Sequence, residues 1–127
     1  TLEQATELIL FASLNLEEKE IFVRHSPALF IKDLASVYAE LKTGNKKYPQ
    51  KIIGVRSGEK IDEVLVAEEE TQRTVQLKTK HGIYYKIKRQ DHSPYPQKAM
   101  NEYSSANTDQ LGKADIKKLI DGLVWKR

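Results

Sequence analysis

Residues 52–65 read Ile-Ile-Gly-Val-Arg-Ser-Gly-Glu-Lys-Ile-Asp-Glu-Val-Leu. The stretch opens on apolar residues, passes through two glycines, and resumes with Ile61, Val64 and Leu65 at helical spacing. It predicts a strand over residues 51–55, a tight turn presenting Arg56 and Glu59, and an amphipathic helix over about residues 60–70. A guanidinium is planar, permanently charged and able to make paired hydrogen bonds, which suits a diphosphate. A carboxylate three residues on can accept hydrogen bonds from sugar hydroxyls, and Gly58 lets backbone come close to a ligand. Arg56, Gly58 and Glu59 are therefore the candidate substrate-binding residues, and their chemistry suggests a nucleotide-sugar site. Lys60 stands beside them and can equally lie along the following helix.

Upstream, a helix is expected over about residues 3–14, with Thr1 as N-cap, Gln4 completing a capping box, and Ala5, Leu8, Ile9 and Ala12 as the buried stripe. A short strand follows at residues 20–24. After Pro27 a second helix covers about residues 30–43, with Leu34, Val37, Tyr38 and Leu41 on one face and Gly44 closing it. Downstream of Glu70 the period changes to two. Val75, Leu77 and Thr79, then Ile83, Tyr85 and Ile87, flank His81-Gly82 and read as a β-hairpin over about residues 74–89. Pro94 and Pro96 mark residues 91–110 as an extended connection. A last helix is expected over about residues 113–124, with Ile116, Leu119, Ile120, Leu123 and Val124 on one side. Gly122 costs it about 1 kcal/mol relative to alanine. The expected fold class is mixed α/β: one lobe over residues 1–127, built of helices, short strands and one hairpin.

The chain has no cysteine, which excludes a disulfide framework, a thiolate metal site and a thiol nucleophile. No run approaches the roughly 20 apolar residues of a membrane span. A net charge of +3 comes from 21 basic residues interleaved with 18 acidic ones. The densest basic stretch, Lys78 to Arg89, alternates with Tyr84, Tyr85 and Ile87 and reads as one solvated face of the hairpin, so no nucleic-acid partner is expected. Glu68-Glu69-Glu70 reads as a solvated helix end. His25, His81 and His92 show no metal-ligand clustering. Tyr84 and Lys88 satisfy Tyr-x-x-x-Lys, the pair of short-chain dehydrogenases, but they fall in a strand pattern that does not put them on one helical face.

Three blocks carry a family resemblance. They are Thr1-Leu2-Glu3-Gln4-Ala5 with Ile21-Phe22-Val23, then Ile53-Gly54-Val55-Arg56-Ser57-Gly58-Glu59-Lys60, then Glu102-Tyr103-Ser104-Ser105-Ala106-Asn107-Thr108. In this order they resemble the C-terminal, substrate-binding part of bacterial UDP-N-acetylglucosamine 4,6-dehydratases and related 4-epimerases, extended short-chain dehydrogenases of capsule and O-antigen synthesis. The resemblance implies that Arg56 contacts the diphosphate of a UDP-sugar and Glu59 its ribose. Ser57 departs from the histidine or proline common at that place, and Phe30 from the hydroxyl residue that usually caps the second helix. The family's dinucleotide-binding glycine turn has no match here and its catalytic Tyr-x-x-x-Lys pair is met only by Tyr84 and Lys88 in a strand pattern, so the Rossmann lobe is expected to be absent and this chain alone to hold no cofactor. In the complete enzyme NAD(P) would oxidise the sugar at C4, followed by loss of water across C5 and C6 or by hydride return to the other face. The implied partners are a UDP-sugar, the missing N-terminal dinucleotide-binding lobe and, through the surface that lobe leaves uncovered, a second copy of the chain. The implied compartment is the cytoplasm. A standalone, non-catalytic interaction module derived from that lobe is the alternative.

Overall fold

The structure, a computed structural model, describes residues 1–17, 19–89 and 100–123. Its elements in chain order are α1 (Leu2–Asn15), β1 (Ile21–Arg24), α2 (Ile31–Thr43), β2 (Val64–Val66), a 3-10 helix (Glu68–Arg73), β3 (Thr74–Thr79), β4 (Gly82–Ile87), β5 (Tyr103–Ser104) and α3 (Lys113–Leu123). This is a mixed α/β fold. Where the sequence predicts one lobe, the chain gathers into two compact units, one of residues 1–26 and 64–104 and the other of residues 27–63 and 105–127.

In the first unit β4 is the middle strand of an antiparallel sheet with order β1-β4-β3. The hairpin register places Leu77 opposite Tyr84, Gln76 opposite Tyr85 and Val75 opposite Lys86. Residues directly opposite share a face, so the two apolar stripes of the hairpin, Val75 with Leu77 and Ile83 with Tyr85 and Ile87, lie on opposite sides of the sheet. Both sides are covered. On one, Val66, Tyr85, Ile87 and Tyr103 form the core, with Val23, Ile83 and Met100 packed around them. On the other, Phe11 of α1 stacks on Tyr84 at 4.1 Å between ring centres and meets Phe22 edge-on at 5.8 Å. The predicted solvated face of the hairpin is thus corrected: Tyr84 is fully buried and the Lys86 side chain is only 12% exposed. Alternation signals one wet face only when nothing packs on the second, and α1 does.

Helix α1 starts as its capping box requires, with Gln4 N–H donating to Thr1 Oγ1 at 3.2 Å and Gln4 Oε1 accepting from the Thr1 nitrogen at 2.9 Å. Its inner face is shifted from the expected stripe. Ala5 and Ile9 are exposed, and Phe11, which the stripe omitted, makes the aromatic contacts. The helix is apolar on two sides, so periodicity alone could not choose between them. Glu7 ties it to the sheet by an ion pair with Arg24 and by a 2.9 Å contact between its Oε1 and His81 Nδ1. The Arg24 hydrogen bond holds the Glu7 carboxyl below its usual range.

The expected helix over residues 60–70 is replaced by β2 and the 3-10 helix. Val64 and Val66 pair antiparallel with Ser104 and Tyr103 across a bulge, and the Glu63 carbonyl accepts from Ser105 N–H at 2.9 Å instead of from a helical turn. β-branched residues fit that pleated surface. In the 3-10 helix Glu70 pairs with Arg73 at 2.9 Å and accepts from Ala67 N–H at 3.2 Å, so the last of three consecutive glutamates is structural while Glu68 and Glu69 face solvent.

In the second unit α2 begins one residue after Phe30, which gives it no side-chain cap, and ends at Gly44 with φ 70°. α2 packs against α3 around the nearly buried Val37 and the fully buried Ile116. A parallel bridge joins Ala28 to Gln110. The predicted strand over residues 51–55 has no ladder partner among the described residues, and Ile52 is 92% exposed. Of the expected extended connection over residues 91–110, the described part holds β5 and a turn, whereas residues 91–99, His92 and both prolines included, lie outside the described residues. So do Val124 and Trp125, which the sequence reading puts at the end of the last helix.

Two tyrosines of the first unit, Tyr84 in β4 and Tyr103 in β5, are expected to differ sharply on removal of a hydroxyl. The Tyr103 hydroxyl accepts from Ser26 N–H at 2.7 Å and donates to Ser26 C=O at 2.9 Å. Tyr103→Phe should cost about 1–3 kcal/mol. The Tyr84 hydroxyl is buried without a hydrogen-bond partner among the described residues, so Tyr84→Phe should be neutral or stabilising when both variants are unfolded in urea beside the wild type.

The Glu20–Lys86 pair, 2.8 Å apart, sets a pH limit. Burial pushes the Glu20 carboxyl up, but hydrogen bonds from Lys86 and the Glu17 N–H outweigh it and hold it below its usual value, while the hydrogen bond to Glu20 holds the Lys86 ammonium above its own. The Glu20 contribution is complete above the unfolded value of about 4.3 and is lost as pH falls through the lower folded value. The Lys86 contribution is complete below about 10.4 and is lost as pH rises through the raised folded value. Unfolding measured from about pH 2 to 7 should show a shallower acid limb in Glu20→Gln than in the wild type.

Candidate functional site

Arg56, Gly58 and Glu59 lie together in one turn of the second unit. The Glu59 N–H donates to the Arg56 carbonyl at 3.1 Å, closing a four-residue turn with Gly58 third at φ 85°. A type II turn requires that positive φ, and a side chain there would be strained although the space around it is open. The glycine is used for its backbone conformation, as the sequence suggests, and Gly54 takes a similar φ of 80° two residues before the turn.

The Glu59 carboxylate folds back over the turn. Its Oε2 accepts from Arg56 N–H at 2.8 Å and its Oε1 lies 3.9 Å from Arg56 Nε. Arg56 remains 74% exposed, so its outward guanidinium nitrogens are available to a ligand. Ser57 and Lys60 are exposed beside it. A solvent-facing contact of this length contributes little stability, under about 1 kcal/mol.

Past the turn the chain is fastened by a residue that spacing rules did not single out. Ser105 Oγ accepts from Glu63 N–H at 2.9 Å and donates to Asp62 Oδ1 at 3.1 Å, and Gln110 Nε2 donates to the Ser105 carbonyl at 2.8 Å. The third block of the resemblance contains Ser105, so the sequence marks the segment but not its job, which depends on contacts more than forty residues apart.

The other candidates do not assemble into a site. Tyr84 is buried in β4 while Lys88 follows the strand, exposed, with its N–H bonded to the Arg73 carbonyl at 2.9 Å. His25 Nδ1 lies 3.0 Å from the Tyr85 hydroxyl and its ring stacks on Tyr103, so it belongs to the aromatic core. Among the described residues no three of His, Asp and Glu are placed to hold a metal ion, and no helix is long and apolar enough to cross a membrane. A groove between α2 and α3 is floored by Val37, Leu41 and Ala114 and carries Lys46, Lys113 and Lys117. Glu40 pairs with Lys46 at 3.9 Å and Asp33 with Lys113 at 3.5 Å, which offsets most of its positive charge.

Comparison with known proteins places this turn in context. A family model described as polysaccharide biosynthesis protein matches residues 1–87. The UDP-glucose 4-epimerase of Rickettsia akari is 30% identical over 130 residues, covering 94% of this chain and 36% of the epimerase. An uncharacterized membrane protein of Methanocaldococcus jannaschii is 31% identical, covering 98% of this chain and 38% of that protein. Among solved structures, Pen from Bacillus thuringiensis aligns with a TM-score of 0.73 at 29% identity, over 98% of this chain and 36% of that one. The chain spans little more than a third of the length of these relatives. Since the family model covers most of its residues, from α1 through the candidate turn to β4, the chain belongs to the polysaccharide biosynthesis protein family.

Proposed function

We propose that these residues form the UDP-sugar-binding lobe of a nucleotide-sugar 4,6-dehydratase or 4-epimerase, acting on a sugar of the UDP-N-acetylglucosamine type in the cytoplasmic stage of capsule or other surface polysaccharide synthesis. The observation that carries this reading is the Arg56–Glu59 turn, with an exposed guanidinium on a glycine-shaped backbone, in a chain of the polysaccharide biosynthesis family. The epimerase relatives support the sugar-nucleotide class. In this reading Arg56 takes the diphosphate through paired, charge-assisted hydrogen bonds and Gly58 keeps the backbone low enough for the ligand to reach it.

The chain's own residues do not fit a dinucleotide. Such a site needs a glycine-rich turn between a strand and the N-terminus of a long helix. Gly58 sits in an exposed turn ahead of β2 with Gly54 two residues before that turn, Gly44 closes a helix and Gly82 begins a hairpin strand. NAD(P) would therefore belong to a dinucleotide-binding lobe outside these residues. Leu2, Ile9, Leu10 and Leu14 form an apolar outer side of α1, each more than half exposed, and offer that lobe or a second copy of the chain a surface to cover.

The site is tested by titrating the chain with UDP-N-acetylglucosamine, UDP and UMP while following backbone amide resonances. Shifts should cluster at residues 54–60, and UDP should bind more tightly than UMP. Arg56→Ala should weaken UDP by about 1.5–3 kcal/mol and erase its advantage over UMP. Arg56→Lys should restore part of it, since an ammonium keeps the charge but loses the fork. Equal UDP affinity in wild type and Arg56→Ala would overturn the assignment.

A further inference from the structure

Arg56 stands in a long exposed segment. Between the close of α2 at Thr43 and the start of β2 at Val64 the chain forms no helix or strand, and residues 51–62 are all exposed. Two serines from elsewhere in the second unit fasten this segment at its ends. Upstream, Gln50 Nε2 donates to Ser36 Oγ of α2 at 2.9 Å, while the same hydroxyl donates to the Lys32 carbonyl at 2.9 Å. Downstream, Ser105 Oγ accepts from Glu63 N–H and donates to Asp62 Oδ1, and the Ser105 N–H donates to the Glu63 carbonyl. We infer that Ser36 and Ser105 are positioning residues, whose hydroxyls tether the segment on either side of the turn and thereby set how tightly Arg56 holds a diphosphate; this rests on the reading of Arg56 as the diphosphate contact.

A serine hydroxyl has one proton to give and lone pairs to accept with. Ser36 gives its proton to the helix backbone and Ser105 gives its own to Asp62, which leaves the lone pairs of each for a donor next to the segment. Both serines are half-buried, whereas the residues they hold are exposed, so the fixed ends lie on the framework side. A released segment would visit conformations in which Arg56 is not placed for a ligand, and apparent affinity falls with the fraction that stays competent. One hydrogen bond of ordinary net strength shifts such an equilibrium about two- to tenfold. The loss falls on reaching the competent conformation, so association slows, while dissociation starts from the ordered complex and keeps its rate. It falls only on ligands that use Arg56. A hydroxyl that touched the nucleoside itself would behave otherwise, since its removal would weaken UMP and UDP alike and speed the release of both.

The deciding experiment compares wild type, Ser36→Ala, Ser105→Ala, Ser105→Thr, Arg56→Ala and the double variant Arg56→Ala/Ser105→Ala. Ser36→Ala keeps the test available should Ser105→Ala fail to fold. Without ligand, backbone order parameters of residues 54–60 should drop in both single serine-to-alanine variants and return toward wild type in Ser105→Thr, which keeps the hydroxyl. With ligand, Ser36→Ala and Ser105→Ala should each lose about two- to tenfold in UDP affinity through slower association. Their UMP affinity should stay within about twofold of wild type, and in the Arg56→Ala background Ser105→Ala should change UDP affinity by less than about twofold. Order parameters unchanged in both alanine variants, or an equal loss for UDP and UMP with faster dissociation, overturns the inference. Should Arg56→Ala leave UDP affinity intact, it is the diphosphate reading that fails, and the ligand-free order parameters still decide whether the two serines tether the segment.

Discussion

The first unit depends on the burial of β4 on both faces. A central strand usually spends one face on the core and leaves the other to solvent or to a helix. Here consecutive tyrosines, Tyr84 and Tyr85, go to opposite sides, and both are almost fully buried. Tyr85 enters the cluster with Val66, Ile87 and Tyr103, while Tyr84 is closed over by Phe11. Each aromatic side chain buries on the order of 150–250 Å², which makes this adjacent pair a large contribution to the packing of the unit. The location of α1, the side on which β5 lies and the ion pairs at the sheet margin all follow from having to cover both rings.

That constraint also explains the charge arrangement around the sheet. Lys86 and Arg24 share the α1 face with Tyr84, as the β1 register requires, with Arg24 opposite Tyr84 and Phe22 opposite Lys86. Cations on a covered face need compensation. Glu20 supplies it for Lys86 and Glu7 for Arg24, and each cation also lies within 6 Å of an aromatic ring centre, Lys86 over Phe22 at 5.9 Å and Arg24 over Tyr84 at 5.8 Å. Glu7 serves twice, since it pairs with His81 in the hairpin loop as well. The acidic residues that look scattered along the sequence are thus placed by the register of β1 on β4.

The elements whose information is local were legible in the sequence. Thr1 and Gln4 fix the start of α1, Gly44 ends α2, and His81-Gly82 marks the hairpin reversal, each through chemistry contained within four residues. What failed was long-range. Ile61, Val64 and Leu65 have helical spacing, yet their neighbour Glu63 is paired with Ser105 on both its N–H and its carbonyl, which commits the segment to extended pairing. No rule of periodicity sees a partner more than forty residues away. Phe11 was passed over for a similar reason: α1 has two apolar sides, and only the tyrosine opposite decides which turns inward. At the candidate turn, the residue types and Gly58's conformation could be anticipated, but the direction of the Glu59 carboxylate could not, because an exposed acid three residues from an arginine can point either way.

The turn differs from the sheet in what holds it. Residues 51–62 are all exposed, and their fixed points are polar: the Glu59 bonds within the turn and the Ser105 bonds after it. Net contributions of about 0.5–1.5 kcal/mol per hydrogen bond cannot match the burial that sustains β4, so this segment sits at the low end of the local stability range. A ligand that bridged Arg56 and the neighbouring backbone would then bring its own ordering contacts to a place the fold leaves lightly held, and part of its binding energy would go into that ordering. Because the side chains around Arg56 are exposed, the sequence there can vary at little cost to the fold. Ser57 and Lys60, exposed on either side of Gly58 and Glu59, are where such variation would be least costly to the fold.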